Sequence, residues 1–192
     1  MRAIPPIRTA RLSLRAMLPQ DFDRYAQIWA CPETVAYIGG RPWDRSRAWA
    51  SFLHNAGHWA VTGFGQWAIH PHGAPDMMGQ AGFFLGRAGL GDDFDTFPEA
   101  GWMLHPDAQG QGLGEEAAQA AHDWFDRVIT GPLVCKIASQ HSRSLEIAES
   151  LGYAPMRDIA MDGDPVRLLI RRNPPGGSRN LFEPAAEEIR RP

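Results

Sequence analysis

The stretch that most constrains this chain is Glu99-Ala-Gly-Trp-Met-Leu104 followed by His105-Pro-Asp-Ala-Gln-Gly-Gln-Gly-Leu-Gly114 and then Glu-Glu-Ala-Ala-Gln-Ala-Ala-His-Asp-Trp-Phe125. A strand-like run leads into glycines at 110, 112 and 114 and then into a helical stripe of Ala117, Ala121, Trp124, Phe125 and Val128. Glycine inside a helix costs roughly 1 kcal/mol relative to alanine, so three at a helix entrance indicate a backbone that needs close approach more than stiffness. A strand, a glycine turn and a helix N-terminus present free N–H groups at the positive end of a helix dipole, which is an anion site. Two common phosphate patterns do not match. A P-loop ends in Gly-Lys-Ser/Thr, whereas Gly114 is followed by Glu115 and Glu116. A dinucleotide fingerprint is spaced GxGxxG, whereas this one is GxGxG.

Around this block the hydrophobic period predicts the order strand, two helices, three strands, helix, strand, helix, strand. Leu12 and Leu14 alternate with polar neighbours, and Phe22, Tyr25, Ile28 and Trp29 share a helical face. Asp44 is placed to cap a second helix carrying Trp49, Phe52 and Leu53 and ending near Gly57. Gln66–His70 and Met78–Gly86 read as a hairpin, Pro132–Ala138 and Pro165–Arg172 as later strands, and Ser142–Tyr153 as a helix closed by Gly152. An acidic loop, Gly89–Pro98, precedes Glu99.

With 192 residues, 44% of them hydrophobic, the chain can bury one sizeable core, and a domain over residues 7–172 followed by a linker and tail at 173–192 is expected. In the tail, Leu181 and Phe182 could dock on the domain or support a homodimer. The net charge of -3 gives no reason to bind nucleic acid or an anionic membrane, and no segment has the length and apolarity of a membrane span. Cys31 and Cys135 are far apart and form no CxxC, so buried thiols in a reducing, cytoplasmic setting are expected, without disulfide or metal.

The block Gln109-Gly-Gln-Gly-Leu-Gly114 resembles the Q/R-x-x-G-x-G/A motif of the GNAT N-acetyltransferases. The longer run EAGWMLHPDAQGQGLGEEA resembles the strand, loop and helix of their RimJ/RimL-like ribosomal-protein branch. IRTARLSLRAMLPQDFDRYAQIW is similar to that branch's opening strand and helix, and SRSLEIAESLGY to its closing helix. The resemblance implies an α+β fold, a mixed and mostly antiparallel sheet flanked by helices. It also implies acetyl-CoA as co-substrate, no metal, and an amine acceptor that is a small molecule or a protein N-terminus. By the same resemblance, the amides of Gln109, Gly110, Gln111, Gly112, Leu113 and Gly114 hold the pyrophosphate, and Trp102, Met103 and Leu104 contact the pantetheine arm and the thioester.

Acyl transfer to an amine needs a base for the amine proton and a partner for the departing thiolate. Glu99 is the leading base; an exposed strand-end carboxylate is its plainer reading, and His105 or His141 are other candidates. The family's Asn-x-x-Ser is His141-Ser-Arg-Ser144 here, and the position of its thiolate-protonating tyrosine is Ala148. Ser144, one turn earlier, is therefore assigned to the thiolate and, with His141, to CoA contact. Trp43 is placed in the acceptor cleft, and Asp92, Asp93 and Asp95 either attract a cationic acceptor or form a solvated loop. An acyl-CoA-binding protein without turnover and a nucleotide-binding module are the alternative functions.

Overall fold

The computed structural model describes residues 4–174, among which eight strands make one sheet. They are β1 Ile7–Arg8, β2 Leu12–Arg15, β3 Gln66–Pro71, β4 Gly79–Phe84, β5 Glu99–Leu104, β6 Leu133–Ala138, β7 Ala154–Met161 and β8 Asp164–Arg171. The helices are α1 Phe22–Ala30, α2 Pro32–Val35, α3 Arg45–Thr62, α4 Asp92–Asp95, α5 Leu113–Val128 and α6 Ser142–Ser150. The strand order is β1-β2-β3-β4-β5-β6-β8-β7. Every neighbouring pair is antiparallel except β5 and β6, the mixed, mostly antiparallel sheet flanked by helices that was expected.

Two layers of helix cover the sheet because its strands carry apolar groups on both faces. On one face α5 and α6 pack Leu113, Ala117, Ala121, Phe125, Ile147 and Leu151 against Leu12, Leu14, Trp67, Phe83 and Leu133. Side chains of this size contribute about 1.5–3 kcal/mol each when fully buried. On the other face α1 and α3 enclose Tyr25, Trp29 and Phe52 with Ala68 and Met103. Farther along that face, Phe94 of α4 packs on Val134, Leu168 and Ile170. The gap between these last two clusters lies over β5 and β6.

Several expectations change. The Asp44 cap is present, its carboxylate accepting from the Arg47 amide at 2.7 Å. The helix runs past Gly57 to Thr62 and stops at Gly63, whose φ of +80° is the left-handed turn a glycine adopts without strain. Its buried stripe is Ala48, Phe52, Asn55 and Trp59, so Trp49 and Leu53 stand 44% and 50% exposed instead of facing the core. Val128, at the end of the α5 stripe, is exposed as well. The acidic loop contains a single helical turn, α4. There the Asp95 carboxylate accepts from the amides of Ala88, Leu90 and Gly91, and Asp93 pairs with Arg157. These acids hold the loop in place, and none lines the cavity described below. The edge strand β7 escaped the hydrophobic period because it is half-exposed and broken by a bulge between Pro155 and Arg157. Leu181 and Phe182 lie outside the described residues. Both cysteines are free, Cys135 buried and Cys31 half-buried.

Within the main core His122 of α5 is 1% exposed. Its Nδ1 lies 2.8 Å from the Ala118 carbonyl and must carry the proton, leaving Nε2 to accept from the Tyr153 hydroxyl at 2.8 Å. Burial holds this imidazole neutral, its pKa pushed down to about 4 from 6.5. An unfolded chain protonates the residue near 6.5, so between these values the unfolded state binds more protons. Stability is fully present above 6.5 and is lost as pH falls toward 4, by up to about 1.4 kcal/mol per pH unit. Denaturant melts across this range are expected to show a fall of this sign, to which His58, His70 and His141 also contribute because burial lowers their pKa values, and His122→Gln is expected to reduce it.

Candidate active site

The site begins where the sheet comes apart. β5 is laddered to β4 over all six residues from Glu99 to Leu104, and β6 to β8 over all six from Leu133 to Ala138. Between β5 and β6 the ladder holds one pair, Glu99 with Val134, beside a bond from the Val134 amide to the Pro98 carbonyl at 3.0 Å. Each strand follows the twist of its own half-sheet, and the two separate beyond Glu99. The edge of β5 from Ala100 to Leu104 that faces β6 therefore has backbone groups without ladder partners.

At the far end of β5 the chain turns through Pro106–Ala108, and the Gln109 side chain donates to the Leu104 carbonyl at 2.9 Å, tying the loop to the strand. Gly110 and Gly112 have φ of +75° and +74°, and Gly112 is the N-cap of α5 with no side chain bonded to the helix end. The amides of the first turn of α5 thus have no carbonyl a turn earlier to bond. Gly114 differs from the other two, because a Cβ there would meet Leu104 at 3.5 Å and make an ordinary packing contact. Both acids after the glycines are paired: Glu116 with Arg11 at 2.6 Å and with the Thr9 hydroxyl at 2.6 Å, Glu115 with Arg143 at 2.6 Å. Their charge is largely offset at the loop.

The split opens onto a cavity of about 500 Å³. Glu99, Trp102, Met103, His141, Ser144 and Trp43 all line it, so residues more than a hundred apart in sequence meet there. Leu104 and Leu113 bury their side chains in the core, which leaves their backbones as the groups able to bind a ligand. His105 lies outside the cavity, its Nδ1 at 3.2 Å from the Asp107 carboxylate. Trp43 stacks on Trp29 with ring centroids 3.7 Å apart, and the Arg47 guanidinium sits over the Trp43 ring at 4.5 Å. Its ring faces are occupied, and it offers the cavity an edge.

Glu99 is 4% exposed, not the solvated strand end of its plainer reading. Its Oε1 lies 2.8 Å from Nζ of Lys136, a residue the sequence reading passed over although a lone lysine in the apolar run Leu133–Ala138 was a visible signal. Burial pushes the Glu99 carboxyl above its ordinary range, and the Lys136 ammonium opposes the rise without cancelling it. Gly86 makes room for this carboxylate, since a Cβ there would lie 2.7 Å from Oε2. His141 is the N-cap of α6; its ring stacks on Tyr37 at 4.4 Å, and burial lowers its pKa. Ser144, buried in the first turn of α6, has no hydrogen-bond partner among the described residues and caps nothing. Ala148, one turn on, is fully buried in the core. Among the described residues no group of three or more His, Cys, Asp and Glu could hold a metal ion, and no helix is long and apolar enough to cross a membrane.

This geometry has close relatives. The family model for the acetyltransferase (GNAT) domain matches residues 11–154. A putative GnaT-family acetyltransferase from Bordetella pertussis is 31% identical, with a TM-score of 0.79 over 88% of this chain and 99% of that one. An acetyltransferase from Agrobacterium tumefaciens is 29% identical, with a TM-score of 0.73 over 90% of this chain and 97% of that one. The chain belongs to the GNAT acetyltransferase family. At the level of fold it is also similar to RimL, a ribosomal L7/L12 alpha-N-protein acetyltransferase in complex with coenzyme A, at 16% identity and a TM-score of 0.70 over 88% of this chain and 98% of that one.

Removing Lys136 tests the electrostatics of the pair. Lys136→Met leaves Glu99 buried without its counter-charge, and because the lysine is partly exposed the expected loss near neutral pH is about 2 kcal/mol, below the 3–5 kcal/mol of a fully buried pair. Adding Glu99→Gln to that variant removes the stranded charge and is expected to restore most of the loss, measured by denaturant melts in a double-mutant cycle.

Proposed function

We propose that this chain moves the acetyl group of acetyl-CoA to a primary amine by direct attack within a ternary complex. The observation that carries the reading is the split between β5 and β6, which opens at one end onto a buried carboxylate and at the other onto a glycine turn with free amides. The residues suit the co-substrate. Amides from Gln109 to Gly114 would hold the pyrophosphate, each charge-assisted bond contributing on the order of 1.5–3 kcal/mol. The unladdered backbone of Trp102, Met103 and Leu104 would hold the pantetheine arm, with His141 and Ser144 beside it. When bound, acetyl-CoA supplies an activated acyl group whose sulfur departs with the bonding electrons.

Glu99 takes the proton of the incoming amine at a carboxylate oxygen, directly or through water. Its upward shift suits a base that must hold that proton, and Lys136 keeps enough of it ionised to act. Ser144 donates its hydroxyl to the developing thiolate, a role left open by the burial of Ala148. The non-catalytic alternative has no use for a buried carboxylate paired with lysine at the cavity wall.

Three variants test this. Gly112→Val forces a β-branched residue into a left-handed conformation and fills the mouth of the loop, so CoA affinity is expected to fall at least about tenfold, roughly 1.4 kcal/mol, by calorimetry on protein of unchanged fold. Glu99→Gln and Ser144→Ala are each expected to lower kcat at least about tenfold with CoA affinity near normal. The ionised base is lost as pH falls through its raised pKa, so the acid limb of kcat should lie above 4.5, the ordinary glutamate value, and move further up in Lys136→Met. Full kcat across the pH range in Glu99→Gln would transfer the role of base to His141.

A further inference from the structure

The acetyl-transfer reading leaves the acceptor open, and one row of the sheet beside Glu99 narrows it. The register aligns Gln66 of β3 with Gly82 of β4, and Gly82 with Gly101 of β5. Gly82 admits no side chain, since a Cβ there would lie 2.2 Å from the Gly65 carbonyl oxygen. With nothing in between, the Gln66 side chain reaches along the row to β5, where its Nε2 lies 3.3 Å from the place a Gly101 Cβ would take. The Phe84 ring closes on the same place, its Cε1 at 3.2 Å. Gly101 is thus a bare stretch of β5 between an amide and an aromatic ring, and all three residues line the cavity. Glu99 stands two residues earlier on that strand and on the same face, about 7 Å away along the backbone.

Gln66 is 8% exposed, and its carboxamide is held in place by Gln80, whose Nε2 donates to Oε1 of Gln66 at 2.7 Å. Nε2 of Gln66 has no hydrogen-bond partner among the described residues, yet it is not one of the unpaired polar atoms sealed from solvent. In a residue that lines the cavity, this reachable end opens onto it. The orientation suits the local field, because an amide dipole turns its N–H end, not its oxygen, toward a nearby carboxylate. A fixed donor in a largely buried site is satisfied by an acceptor oxygen on the ligand. That oxygen is uncharged. Lys136 is the one lysine among the lining residues, no arginine joins it, and it is already paired with Glu99, so a second carboxylate there would lie uncompensated.

We propose that Gln66 binds the acceptor, its N–H donating to a neutral oxygen borne close to the reacting amine, while the rest of the molecule lies over Gly101 against Phe84. An α-amino amide and a 1,2-amino alcohol share this chemistry, the first through a carbonyl and the second through a hydroxyl. A plain arylalkylamine lacks the oxygen, and a diamine brings a second cation to a site that offers a donor. The inference rests on the acetyl-transfer reading, and the test separates the two.

The full chain with acetyl-CoA is assayed for thiol release on phenylalaninamide, phenylalaninol, phenethylamine and 3-phenylpropane-1,2-diamine. Phenylalaninamide or phenylalaninol is expected to exceed phenethylamine at least about tenfold in kcat/KM, and the faster of the two identifies a carbonyl or a hydroxyl source. Gln66→Met removes the donor and is expected to bring both oxygen-bearing amines down toward phenethylamine, whose own kcat/KM stays within about twofold; a merely structural role would lower all of them together. Gln66→Glu keeps the oxygen that Gln80 needs but replaces the donor by an acceptor, and is expected to shift preference to the diamine. Preference of the unaltered chain for phenethylamine or the diamine overturns the inference and leaves acetyl transfer standing. So does a preference for the oxygen-bearing amines that persists in the folded Gln66 variants. Absence of thiol release with every amine, despite CoA binding by calorimetry, overturns both.

Discussion

The ladder between β5 and β6 is one residue pair long, and the rest of the site depends on its ending at Glu99. A sheet that stayed closed would satisfy its own backbone and leave nothing for a ligand. Here the cost of unpaired groups on β5 is tolerated because both strands are fixed elsewhere, β5 by β4 and β6 by β8, each over six pairs. The opening is rigid for that reason, and side chains placed on its two lips keep their separation. Rigid elements of this kind are what a site needs to hold reacting groups in register.

Charge is placed on those lips with economy. Glu99 sits at the last bonded pair of β5, where burial raises its pKa, and Lys136 stands two residues beyond Val134 on the opposite strand to restrain the rise. Gly86 leaves the room this carboxylate needs. At the other end of β5 the pattern is reversed: Glu115 and Glu116, which in the bare sequence argue against a P-loop, are each matched by an arginine brought from a distant element. The same chain thus has a buried carboxylate at one end of the split and a charge-offset turn with free amides at the other.

One side of the cavity is built mainly by α1, α3 and the segment between them, whose aromatic groups pack on one another. Phe22 meets Trp49 and Phe52 edge-on, and Tyr25 meets Phe52 in the same way. This packing locks Trp29 against Trp43 beside the cavity. The cavity thus has the helical layer on one side and the split in the sheet on the other.

By itself the sequence determined the types of most elements, the glycine turn and the family resemblance, and it marked Glu99 as a candidate. These are local properties: a period of two or of 3.6, a cap such as Asp44, a strand running into glycines at a helix start. It also carried a lysine in an apolar strand, Lys136, whose meaning needed a partner. Only the tertiary structure decided that partner, because strand order is set by packing between segments far apart, and the Glu99 to Lys136 contact follows from a parallel pairing that no local pattern specifies. The pairing of Glu116 with Arg11 and the exposure of Trp49 and Leu53 beside a buried Phe52 are of the same kind. Period alone marks an apolar stripe, but which residues of that stripe meet the core depends on where the neighbouring layer lies.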